Sequence, residues 1–117
     1  VGTRCEVRVP DPACNPYLAL AVMLAAGLDG LQRGLECGEP VNRNIFEMSE
    51  REKRRLRIKQ LPASLAEALD NLERDRVLKA ALGPHIFENF LRNKREEWHR
   101  YISMVHGWER EQYLKTY

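Results

Sequence analysis

Near the start of the chain, Arg4, Glu6 and Arg8 occupy every second position, and no other group of residues is better suited to chemistry. On an extended strand, alternate residues point the same way, roughly 6.5–7 Å apart. Two guanidinium groups then flank one carboxylate on a single surface. A carboxylate suits a divalent cation as an oxygen ligand. A guanidinium presents a rigid donor fork that matches phosphate or carboxylate oxygens. One reading is a site that holds a metal through Glu6 and oxyanions through the arginines. The other is a solvated sheet face with cross-strand ion pairs. Spacing alone leaves both open.

Other candidates carry less. His85, His99 and His106 could ligate a metal, but no cysteine or acid pair completes a ligand spacing, so they read as surface or capping histidines. Arg51, Lys53, Arg54, Arg55, Arg57 and Lys59 form a basic run that could meet nucleic-acid phosphates. The run is short, interspersed with Glu50 and Glu52, and free of aromatics. A solvated helix face or subunit contact is expected, with no direct nucleic-acid partner. Trp108, Tyr113, Leu114 and Tyr117 load the end of the chain with apolar surface. They either pack back on the domain or enter a neighbouring subunit, since aromatics enrich interface cores.

The elements that position these residues are mostly helical. Cys5, Val7 and Val9 alternate with the three charged residues, which predicts a half-buried strand over 3–9, ended by Pro10-Asp11-Pro12. No second strand follows, and a lone strand cannot satisfy its own backbone groups, so its partners are expected outside this chain. The region 15–117 reads as helical. Asn15-Pro16 opens a helix to about Leu31 that is apolar nearly all round and expected to be buried on most sides. Gly34 to Pro40 is a loop. Ser49 with Glu52, and Ser64 with Glu67, form capping boxes for two further helices. Asp75 restarts the chain, and Gly83-Pro84 punctuates it. The longest helix is expected from about Pro84 to Val105, with a stripe of Phe87, Phe90, Leu91, Trp98, Tyr101, Ile102 and Val105. A short amphipathic piece follows Gly107. The fold class is therefore mainly α with one N-terminal strand.

Of the 117 residues, 44% are hydrophobic and 31% charged, a balance that argues against disorder. The net charge of +2 creates no global field calling for nucleic acid or a membrane. Three cysteines without CxxC spacing fit free thiols in a reducing compartment. The run Tyr17 to Ala26 is about half of what spans a bilayer. A cytoplasmic protein is expected. The lack of an initiator Met suggests that Val1 is not the natural start, and the chain reads as a segment of a larger protein.

The stretch Arg4-Cys5-Glu6-Val7-Arg8-Val9-Pro10-Asp11, with Asn15-Pro16-Tyr17-Leu18, resembles a signature of glutamine synthetase. The resemblance continues through Ala25 to Gly30, Asn42-Arg43-Asn44-Ile45, Leu61-Pro62, Ala81 to His85, Lys94 to Trp98 and Val105 to Glu109. It covers the whole chain in register and is nearest to the bacterial type I enzymes of the Gram-positive branch. It implies the C-terminal segment, residues 1–117, of an α+β catalytic domain whose active-site β-barrel forms between subunits. The implied reaction is ATP-dependent ligation of ammonia to glutamate through a γ-glutamyl phosphate. By this resemblance Glu6 binds Mg²⁺ or Mn²⁺. Arg8 contacts glutamate and the phosphoryl group in transit, and Arg4 lies near the nucleotide phosphates. The resemblance further implies a dodecamer of two hexameric rings in which the tail with Trp108, Tyr113, Leu114 and Tyr117 enters the opposite ring, and contacts with nitrogen-responsive transcription regulators. Two positions depart from the pattern. Phe46 replaces a tyrosine that some relatives nucleotidylylate, and Gly107 stands where proline is common. The segment alone is expected to be inactive. The alternative is a helical protein-interaction module derived from this family.

Overall fold

The computed structural model describes residues 2–115. Five helices follow one another: α1 (Pro16–Gln32), α2 (Glu50–Arg55), α3 (Leu65–Arg74), α4 (Arg76–Ile102) and α5 (Gly107–Tyr113), with a 3₁₀ turn at Ile45–Glu47. No helix among the described residues is long and apolar enough to cross a membrane.

Local sequence signals account for most boundaries. Asn15 Oδ1 accepts hydrogen bonds from the backbone of Tyr17 and Leu18, and Pro16 occupies the first turn, where its missing N–H costs nothing. At the other end of α1, Gly34 N donates to Leu31 O and Leu35 N to Gly30 O, with Gly34 at φ 59°. This is the paired closure that glycine favours after a helix. Ser49 and Glu52 form a complete capping box. The second expected box is altered: Ser64 Oγ accepts from Glu67 N, but the Glu67 carboxylate reaches back to Ala63 N rather than Ser64 N. Asp75 ends α3 and caps α4 through Val77 N and Leu78 N.

Helix α4 is two helical runs joined at Gly83, whose φ of 69° and ψ of 163° lie where only glycine is at ease. Pro84 follows and cannot donate to the preceding turn. The second run ends at Ile102, three residues before the expected Val105. The bend lets Leu82, Phe87 and Leu91 share a core with Leu69 of α3, and Leu18, Val22, Leu65, Leu72 and Phe90 pack around it. Arg95 fastens the far end of this pairing, meeting Asp70 at 3.0 Å and Glu73 at 2.6 Å. These two carboxylates, Asp70 first, hold the Arg95 guanidinium's pKa above its ordinary value.

Two expectations are corrected. The strand over 3–9 does not form: residues 2–9 have no regular structure, and no strand occurs among the described residues. The cause is the one already implied by the sequence, since no second strand offers a ladder to pair with. Helix α1 is also not buried on most sides. It packs against α4 through half-buried Leu18 and Val22, while Tyr17, Leu20, Leu24 and Leu31 stay exposed. The core is too small to cover it.

Candidate functional site

Residues 2–9 carry the expected chemistry in exposed backbone without regular structure, followed by a turn at Asp11. Asp11 Oδ1 accepts from Ala13 N and its carbonyl accepts from Cys14 N, making the turn that leads into the Asn15 cap. The charged segment therefore enters α1 through a fixed corner. Glu6 and Arg8, two positions apart, fall on one side and touch: Arg8 Nε donates to Glu6 Oε1 at 2.5 Å. The structure does not join Arg4 to them, although it lies on the same alternation. Both side chains of the pair are largely solvent-exposed, so the contact itself adds little stability.

Glu6 supplies a hard carboxylate oxygen, the right kind of ligand for Mg²⁺ or Mn²⁺. No group of three or more His, Cys, Asp or Glu side chains converges among the described residues. Glu6 thus fits as one ligand, not as a whole site. The histidines do not converge either. His85 lies beside Asn89. His106 turns its ring to the Tyr101 carbonyl at 3.1 Å and lies tilted against the Tyr101 ring at 4.5 Å, and the Tyr101 ring in turn stacks on Trp98. The three cysteines are exposed and free.

At the end of the chain, the Glu109 carboxylate accepts from His106 N and holds the start of α5. Trp108 and Tyr113 meet edge to face at 6.2 Å, and both remain exposed, as does Leu114. They do not pack back on the helices. Tyr117 lies outside the described residues. Phe46 sits on the 3₁₀ turn, where Asn44 Oδ1 accepts from its N–H, and it is 97% exposed.

Sequence reasoning missed one feature. Arg57 N donates to Arg54 O and Ile58 N to Lys53 O, repeating after α2 the closure seen after α1. The left-handed position is filled here by arginine, at φ 55°, the one positive-φ residue other than glycine among the described residues. Only a missing glycine after the capping box could have signalled it.

An exposed carboxylate paired with a guanidinium thus precedes a mainly helical scaffold. The chain belongs to the glutamine synthetase family, for residues 1–113 match the glutamine synthetase catalytic domain. It is 53% identical over 117 residues to glutamine synthetase of Thermus thermophilus and 59% identical over 114 residues to that of Methanococcus maripaludis, covering 100% and 97% of this chain. The Staphylococcus epidermidis enzyme, from a Gram-positive organism, is 49% identical over 117 residues. The chain spans 26% of the length of each of these relatives. Among solved structures, a GmaS complex with ADP superposes with a TM-score of 0.80 at 38% identity, covering 93% of this chain and 24% of that one. GmaS without ligand gives 0.77.

Proposed function

We propose that this chain is the C-terminal part of the catalytic domain of a glutamine synthetase that ligates ammonia to glutamate at the expense of ATP. The observation that carries this reading is the family match over residues 1–113. The whole segment serves as one unit of that domain, with residues 3–9 pairing as a strand once other parts of the domain supply neighbours. Glu6 is proposed as one ligand of a divalent metal, Mg²⁺ or Mn²⁺. When bound, such an ion offsets charge on phosphate oxygens. Arg8, held beside Glu6, is proposed to orient the glutamate carboxylate and to stabilise charge as the phosphoryl group passes to it, before ammonia displaces phosphate. Arg4 is proposed to lie toward the nucleotide phosphates, in keeping with the ADP bound in the GmaS complex. The exposed Trp108, Tyr113 and Leu114 fit a subunit contact in a homo-oligomer of two stacked rings. Contact with nitrogen-responsive transcription regulators belongs to the same reading.

The test is glutamate- and ammonia-dependent phosphate release from ATP by the full-length protein and its Glu6→Gln variant, with Mg²⁺ and with Mn²⁺. The expected result is turnover by the parent and a loss of about a hundredfold or more in the variant. An inactive parent with both metals would leave a fold without its chemistry and favour the helical interaction module instead.

A further inference from the structure

The nine residues from Arg51 to Lys59 hold six cations and one carboxylate, whereas the other 108 residues hold 13 cations and 16 carboxylates. Positive charge is thus concentrated on α2 and the turn after it. Within the cluster, Lys53 pairs with Glu50 at 2.9 Å, and Glu52 pairs instead with Arg43 at 3.4 Å. Arg51, Arg54, Arg55, Arg57 and Lys59 are exposed and form no ion pair among the described residues. Crowding like charges is unfavourable, and a solvated face gains nothing from it.

Two further observations turn this patch into a surface with a preference. Arg57 occupies a left-handed position that suits glycine, so a long cation is presented there at a local conformational cost. Phe46 is 97% exposed on the turn leading into α2, five residues from Arg51 and so within about 18 Å of it along the chain. That turn is fixed: Asn44 caps it, Met48 N donates to Ile45 O, and Met48 is buried at 5%. Leu56 and Leu61 add exposed apolar surface. Arginine and aromatic residues together are what protein interfaces enrich. A strand of nucleic acid would call for several aromatics interleaved with the cations, and the cluster contains none.

We propose that Phe46 with Arg51, Arg54, Arg55 and Arg57 forms a docking surface for an acidic segment of another protein, whose carboxylates meet the guanidinium forks and whose apolar side chain covers Phe46. This goes beyond the catalytic reading and does not depend on it.

The experiment uses the full-length protein and a short fluorescein-labelled peptide of glutamates around a central pair of leucines, followed by anisotropy. Lysine-substituted peptide and a thymidine oligonucleotide serve as controls. Binding of the glutamate peptide at low salt, weakening as salt rises, is expected. Arg54→Glu with Arg55→Glu should weaken it about tenfold or more, and Phe46→Ala and Arg57→Gly, both at exposed sites, should each weaken it several-fold. Phosphate release should be unchanged in all of them, which separates this surface from the catalytic site. Three results would overturn the proposal: no peptide binding at low salt, equal binding by the charge-reversed variant, or oligonucleotide binding in place of peptide binding. Dissociation of the assembly by these variants on sedimentation would overturn it as well, assigning the patch to a subunit contact.

Discussion

Glu52 shows how much one side chain can organise. Its carboxylate accepts from Ser49 N at 3.0 Å and Ser49 Oγ at 2.8 Å, and Arg43 reaches it at 3.4 Å. The Ser49 backbone bond chiefly, then its hydroxyl and Arg43, hold the Glu52 carboxyl below its ordinary 4.5. A depressed folded value means the box contributes stability above pH 4.5 and loses it as pH falls through the lower folded value. The Ser49 amide resonance should therefore titrate with a midpoint below 4.5, and a midpoint at or above it would refute the assignment. Ser49→Ala should cost about 1 kcal/mol, read by thermal unfolding. Arg57 makes the opposite prediction. Relieving its left-handed backbone with Arg57→Gly should stabilise the end of α2 by about 1 kcal/mol, and unchanged or lower stability would mean the conformation carries no strain.

At the scale of elements, the α3–α4 pairing has an apolar centre and a charged clasp. Leu69, at 2% exposure, is the most buried of the core residues. Leu69→Ala should cost about 2–5 kcal/mol in chemical denaturation. Arg95→Ala removes two ion pairs from a side chain that is 43% exposed, and a clearly smaller loss than that of Leu69→Ala is expected. A reversed order of these two losses would mean that charge rather than packing joins the helices. These elements were legible because their signals are local: Asn15-Pro16, Ser49 with Glu52, Asp75 and Gly83-Pro84 each act within a turn. The expected strand failed because a strand needs a partner, and alternation at Cys5, Val7 and Val9 reports a tendency without supplying one. The site was legible in the same measure. Glu6 and Arg8 come together because two-residue spacing is a local property, whereas the other ligands that the proposed metal site would need belong to long-range structure that no spacing reveals. Arg57 escaped notice because its conformation contradicts the usual preference of its residue type.

As a whole, the described molecule is open. Its radius of gyration is 18.6 Å with extents of 59 × 42 × 31 Å, against about 13 Å for a compact domain of 100 residues. Tyr17, Leu20, Leu24 and Leu31 on α1, with Val105, Trp108 and Leu114 near the far end, leave large apolar side chains in water. The 117 residues by themselves should associate with rising concentration on analytical ultracentrifugation and bind a hydrophobic dye. A monomer without dye binding would show that the helices close over these faces in solution. The bend at Gly83 has a reach beyond its own turn. From Pro84 to Ile102 the helix is about 28 Å long, so a change of direction at its pivot, Gly83, is carried far along the molecule. A change of ten degrees at the pivot would sweep α5 and its Trp108–Tyr113 pair through about 5 Å, roughly the pitch of one helical turn. Where the aromatic end of the chain lands is therefore sensitive to the backbone of a residue that has no side chain and lies most of a domain's width away.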